Sequence, residues 1–325
     1  MFEVVDAGLQ TSVQDLPGRI GFWAQGFPPS GPVDMWSFRL ANLLVGNDRD
    51  AAGLECQFLG PTLRFIRDGT VAVTGADMGA TLNGEPAAMW RTLPVAAGDL
   101  LKLTGARTGA RAYIALAGGI DTPPVLGSRS TFHMAGVGGV GGYALKAGQT
   151  IPVAPAARLP PILEVKAAAR PPITTARQWL VEVVPGPNDS WLAPSTIAEF
   201  LSSDWTVQAK SSRTGIRLSG PRFAFSECAT NKLPEHGQDP SNILDHGYPL
   251  GAINLAGQTP IILINDGPST GGFINPFTVP SAAFWKLGQA RPGNTLRFSA
   301  VTVKEAQDLR RALDRRCTAD SLTAA

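Results

Sequence analysis

Short apolar runs, broken at close intervals by tight-turn signals, constrain the fold of this chain more than any other feature. Residues 80–82 run into Asn83-Gly84, and residues 62–66 and 70–74 flank Arg67-Asp68-Gly69. Asn-Gly and Asp-Gly between such runs mark hairpins, because these residues tolerate the positive φ of a tight turn. Further strands are predicted at 100–103, 111–117, 180–184, 206–209, 251–255, 260–264 and 295–300, and Met1-Phe2-Glu3-Val4 opens directly into one. Helical spacing is confined to 34–45, 195–201, 281–287 and 304–316. The 36 glycines and 27 prolines suit many short strands joined by turns. A mainly β fold with a few helices follows.

One unit recurs. Ala97-Gly98-Asp99, Ala147-Gly148-Gln149 and Pro292-Gly293-Asn294 each lead into an alternating run, a pattern that fits duplicated β-barrels. The Pro- and Ala-rich stretch 156–172 is the expected linker, between an N-terminal β domain over 1–155 and a C-terminal one over 173–325. A ligand cleft is expected where the two meet.

Composition removes several function classes. The formal charge is only +2 and no basic cluster interleaves with aromatics, so nucleic acid is not an expected partner. Cys56, Cys228 and Cys317 are far apart and lack ligand spacing, which argues against a zinc site or disulfide scaffold. His133, His236 and His246 form no metal pattern, and no Gly-x-Ser-x-Gly elbow occurs. No apolar run approaches the roughly 20 residues of a membrane helix, and no signal segment opens the chain. A cytoplasmic protein with a small-molecule substrate is the expectation.

Polar, glycine-bearing segments carry the candidate chemistry. Asp266-Gly-Pro-Ser269-Thr270-Gly271-Gly272-Phe273 follows a buried strand; a carboxylate, two hydroxyls and closely approachable backbone converge there, although the same residues suit a sharp turn. Asp15, Arg19, Ser30 and Asp34 lie on two Pro/Gly-rich loops that feed a helix, a setting that suits anions. Asn42 lies three residues after Arg39 on that helix. Ser128 and Arg129 form a third such segment, in which Arg129 either clamps a carboxylate or makes a domain-domain salt bridge. The glycine-rich stretch 136–142 reads as a mobile flap. Arg213 and Arg217 are predicted on one strand face, opposite Ile216 and Leu218. Asn242 belongs to a polar loop, and Glu55 is a buried carboxylate or an ordinary turn residue.

In their order along the chain these segments resemble the allophanate hydrolase subunit 2 family. The resemblance rests on residues 8–15, Pro17-Gly-Arg19, Pro28-Pro-Ser-Gly-Pro-Val-Asp34, Gly53-Leu-Glu55, Gly127-Ser-Arg-Ser-Thr131 and Asp266-Gly-Pro-Ser-Thr-Gly-Gly-Phe273, within a span of about 8–298. That family includes the carboxyltransferase part of biotin-dependent urea carboxylase and a subunit of bacterial 5-oxoprolinase. Pro28-Pro-Ser-Gly-Pro and Ser241-Asn-Ile-Leu-Asp245 look like the urea branch. Thr270 and Ile274-Asn275 depart from it, where Leu and Val-Cys are typical.

The resemblance implies two cyclophilin-like β-barrels and carboxyl transfer from carboxybiotin, carried on another chain, to a nitrogen of urea or a similar molecule. ATP would be used by a partner, since this sequence has no Gly-Lys-Ser/Thr phosphate loop and no Ala-Met-Lys-Met biotinylation site. The implied partners are an allophanate hydrolase subunit 1-like protein and a biotin carrier/biotin carboxylase or amidohydrolase subunit. In this scheme Ser269, Thr270 and the amides of Gly271 and Gly272 steady the oxyanion, Asp266 holds substrate N–H groups, and Arg129 or Arg213 holds the carboxylate. Asp15, Arg19, Ser30, Asp34, Asn42, Glu55, Ser128 and Asn242 supply the surrounding substrate contacts, and Asp266→Ala is expected to abolish transfer with melting nearly intact. The alternatives are a subunit of an ATP-dependent 5-oxoprolinase and a non-catalytic regulatory subunit.

Overall fold

The computed structural model describes residues 1–156 and 158–325. The chain forms two compact units, one of Met1–Ile20, Pro29–Thr175 and Ala312–Ala325, the other of Gly21–Pro28 and Ala176–Arg311.

The first unit carries β1 (Phe2–Asp6), β2 (Gln10–Gln14), β3 (Gly53–Gln57), β4 (Thr62–Phe65), β5 (Gly69–Gly75), β6 (Thr81–Leu82), β7 (Glu85–Pro86), β8 (Thr92–Val95), β9 (Leu100–Lys102), β10 (Arg111–Leu116), β11 (Thr150–Ile151) and β12 (Leu163–Val165). Two sheets result, ordered β11-β1-β4-β9-β6-β7 and β2-β3-β10-β5-β8. Period-two alternation turns Phe2, Val4 and Leu63 of one sheet and Val13, Leu54 and Ile114 of the other into a shared core. The five-stranded sheet buries its other face too, and there the residues are polar: Ser12, Gln14, Glu55, Thr74, Arg111 and Tyr113. Helix α1 (Met35–Leu44) packs against β5 and β10.

Asn83-Gly84 makes the predicted hairpin, joining β6 to β7 with φ of 54° and 88°. Arg67-Asp68-Gly69 does not: β4 belongs to the six-stranded sheet and β5 to the five-stranded one. Both strands bury an apolar face in the same core, and they do so from opposite sides, so the turn crosses between sheets instead of reversing within one.

The second unit carries β13 (Gln178–Pro185), β14 (Trp205–Val207), β15 (Gly215–Ser219), β16 (Asn242–Gly247), β17 (Ala252–Ala256), β18 (Thr259–Leu263), β19 (Thr270–Phe273), β20 (Phe277–Thr278) and β21 (Thr295–Ala300). Seven of these close a barrel in the order β13-β20-β17-β18-β15-β14-β21, sealed by the parallel pair β13–β21. Phe200 of α2 (Pro194–Ser202) stacks on Phe277 and Phe298 at 4.4 and 4.5 Å between centroids. Strands β16 and β19 stand outside the barrel as a two-stranded ribbon. Helices α3 (Glu227–Thr230) and α4 (Phe284–Gln289) also belong to this unit, and α5 (Val303–Arg315) begins in it and runs past its last residue, Arg311.

The stretch 156–172, expected to link two halves, contains β12; Ala157 lies outside the described residues. Strand β22 (Leu322–Ala324) pairs antiparallel with β12, so the last residues complete the first unit. The fold is mainly β, and its closed barrel and paired sheets fit the cyclophilin-like architecture.

Candidate functional site

In the first unit, the turn at 128–131 folds around Asp15. Ser128 Oγ and Ser130 Oγ donate to Asp15 Oδ1 at 2.5 and 2.6 Å, and the Arg129 amide donates to Oδ2 at 2.6 Å. Three donors thus converge on one carboxylate that is only 7% exposed. Arg19, fully buried, ties the same turn through Nη2 to Ser130 O at 2.8 Å and Nε to Val125 O at 3.2 Å. The Arg129 side chain reaches Asp121 at 3.1 Å, so it forms a solvent-facing pair inside the first unit. The glycine-rich stretch 136–142 is packed down on this turn: the Gly139 amide donates to Arg129 O at 2.8 Å, and a Cβ at Gly138 would stand 2.0 Å from Ser130 O. The expected flap is therefore a clamped loop.

A second network lies on the polar face of the five-stranded sheet. Glu55 and Tyr113 are direct cross-strand partners on β3 and β10. Glu55 Oε2 accepts from the Tyr113 hydroxyl at 2.8 Å and from the Val33 amide at 2.9 Å, while Arg111 Nε stands 3.5 Å from Oε1. The Asp34 amide donates to the Tyr113 oxygen at 2.8 Å. Asp34 caps α1, its carboxylate accepting from the Ser37 amide at 3.0 Å and hydroxyl at 2.6 Å. Burial, then the charges of Glu55 and Asp34, push the Tyr113 phenol well up, which keeps its proton for Glu55. The network holds the 28–34 loop, in which Ser30 is buried at φ 58° and the Gly31 amide donates to Gln14 Oε1 at 3.0 Å. Asn42 turns to Ala51 O at 3.0 Å and accepts from Asn47 at 2.9 Å. Asp15, Asp34, Asn42, Glu55 and Ser128 each have partners inside this unit.

In the second unit, Arg213 and Asp266 form a bidentate ion pair, Nε to Oδ2 at 2.9 Å and Nη2 to Oδ1 at 3.2 Å, with both side chains at most 4% exposed. The alternation predicted for 215–218 holds, with Ile216 and Leu218 buried and Arg217 outside; Arg213 precedes β15 and turns inward instead. Beyond Asp266 the chain does not stay a loop. Thr270–Phe273 forms β19, with Thr270 opposite Gly247, Gly271 opposite His246 and Phe273 opposite Asn242. Thr270 is exposed, and Ser269, Gly271 and Gly272 are half-buried. Lys232 Nζ donates to Asn242 O at 2.6 Å.

Several residues carry no functional signal in the sequence. Arg111 and Tyr113 read there only as strand, although period two aligns them with Gln57 and Glu55. Tyr248 gives no signal of its own. Asn254 and Asn275 carry buried amide oxygens without a hydrogen-bond partner among the described residues.

Residues 25–300 match the carboxyltransferase domain family, subdomain A and B. The chain belongs to that family. It is 40% identical to the urea amidolyase of Lachancea kluyveri over 96% of its own length and 18% of that protein's. It is 34% identical to a 5-oxoprolinase component of Escherichia coli (strain K12), covering 94% of this chain and 93% of that one. The crystal structure of Kluyveromyces lactis urea carboxylase superposes with a TM-score of 0.93 at 38% identity, over 97% of this chain and 29% of that one. The chain thus spans about a fifth of the urea amidolyase it matches and nearly all of the 5-oxoprolinase component. Among the described residues, no helix is long and apolar enough to cross a membrane.

Proposed function

We propose that this chain is the carboxyl-transfer component of a biotin-dependent carboxylase that acts on a nitrogen of urea or a urea-like molecule, together with partner subunits that carry biotin and use ATP. The likeness to urea carboxylase along 97% of the chain carries this reading. Carboxybiotin supplies an activated carboxyl group, and it is productive only where water is kept out.

In this scheme Ser269 and Thr270, with the Gly271 and Gly272 backbone, face the reacting groups on the ribbon. Asp266 acts through Arg213: the pair fixes the base of the segment, and a paired carboxylate is a poor holder of substrate N–H. Asn242 lies at the far end of the same ribbon. Asp15, Arg19, Ser30, Asp34, Asn42, Glu55, Ser128 and Arg129 order the loops of the first unit.

The near-complete coverage of the 5-oxoprolinase component supports a second reading, a subunit of a lactam-opening enzyme. One experiment separates them. The chain is combined with its biotin-carrying or amidohydrolase partners, ATP and bicarbonate, and offered urea, guanidine derivatives or 5-oxoproline. Biotin-dependent carboxylation of urea or a guanidine is expected; turnover of 5-oxoproline alone would replace the first reading with the second.

A further inference from the structure

Tyr248 holds both ends of the segment on which the proposed chemistry depends. Its amide donates to Ser269 O at 2.7 Å. Its hydroxyl accepts from the Phe273 amide at 2.6 Å and donates to the Phe273 carbonyl at 3.1 Å. The Asn254 side chain of β17 lies beside the phenol. A hydroxyl has one proton to donate and two lone pairs to accept with, so the Phe273 amide and carbonyl take its proton and one lone pair. The ring is 4% exposed and packs with Ala252 and Leu263 of the barrel. His246 approaches it edge-on at 4.9 Å and reaches Phe273 O at 3.2 Å.

The ribbon's other ties gather at its Asn242–Phe273 end, where Lys232 Nζ donates to Asn242 O at 2.6 Å and the Ile274 amide donates to Ser241 O at 2.9 Å. A two-stranded sheet is marginal alone, glycine weakens a strand interior, and the β16–β19 register shifts between Asn242 and His246. Gly271 sits against the ring: a Cβ there would stand 2.7 Å from Tyr248 Cε2 and 2.9 Å from its hydroxyl oxygen. Its φ is not in the left-handed region, so space, not backbone conformation, demands glycine.

We infer that Tyr248 is a positioning residue, a latch that fixes the β16–β19 ribbon to the barrel and so sets the placement of Ser269–Gly272 toward substrate. The positioning part rests on the reading of the ribbon as the reacting face; the latch itself does not.

Hydrogen exchange of the full chain, compared between wild type and Tyr248→Phe, tests the latch. Phe keeps the ring and the backbone bond to Ser269 O and removes the hydroxyl's bonds at Phe273, so exchange at 242–247 and 269–273 should rise by about tenfold or more, with β17 and β18 unchanged as the internal control for folding. Gly271→Ala, which displaces the ring, should loosen the same two segments. Unchanged ribbon exchange in both variants overturns the latch. In the reconstituted transfer assay, Tyr248→Phe should raise KM for the accepting substrate severalfold more than it lowers kcat, and increase the carboxyl lost as CO₂. A loosened ribbon with unaltered KM, kcat and CO₂ loss overturns the positioning role. A wild type that transfers to no urea-like compound sinks the proposed function alone, because the exchange result still decides the latch.

Discussion

Asp15 and Asp266 look alike in the sequence and are both nearly buried, but the two units satisfy them by different means. Two hydroxyls and an amide surround Asp15, whereas a single guanidinium grips Asp266 with two bonds. Neutral donors spread a charge over several separate bonds, so the loss of one leaves the others in place. A buried ion pair concentrates the interaction on two residues, and the loss of either removes the other's counter-charge. The second unit should therefore be the more brittle around its aspartate.

The sharpest challenge to this contrast is Asp266→Ala. Removing the carboxylate takes away the counter-charge of the buried Arg213 guanidinium and should cost about 3–5 kcal/mol, measured as unfolding free energy in denaturant. The sequence alone suggests that melting would barely change; the ion pair reverses that expectation. Asp15→Asn keeps the shape but turns an acceptor oxygen into a donor facing other donors, and should cost about 1–3 kcal/mol. Equal losses from the two substitutions would erase the difference between the units.

The smallest effect compares Tyr113 of the first unit with Tyr248 of the second. Burial raises both phenols above their ordinary value, so the folded state favours the protonated form. Their contribution is complete below about pH 10 and is lost as pH rises through the raised values. Unfolding free energy should fall by under about 1 kcal/mol per phenol up to about pH 10.5, less steeply in Tyr113→Phe and in Tyr248→Phe. A slope identical to wild type in either variant would show that its phenol takes no part.

The strand pattern was legible because it is local. Residues 260–264 could bury only as a strand, and Asn83-Gly84 could hardly avoid turning back. Asp34 announced itself as a cap for the same reason. The partners of the candidate residues were not local. Asp15 meets Ser128 across 113 positions, and Arg213 meets Asp266 across 53. Nothing in either stretch says whether a conspicuous charge awaits a ligand or a neighbour already fills the role. The 67–69 turn misled for a related reason, since two strands that share a core are not thereby hydrogen-bonded. Tyr248 escaped notice because its importance lies in the glycine opposite it, and a glycine motif suggests pliancy before it suggests a ring pressed against it.

The pairing of β22 with β12 bears on how this molecule is made. A ribosome releases residues 163–165 long before residues 322–324, and the entire seven-stranded barrel emerges in between. The first unit therefore stays incomplete while the barrel emerges, because β12 lacks its β22 partner until residues 322–324 are made. Assembly strictly in the order of synthesis is closed to this chain.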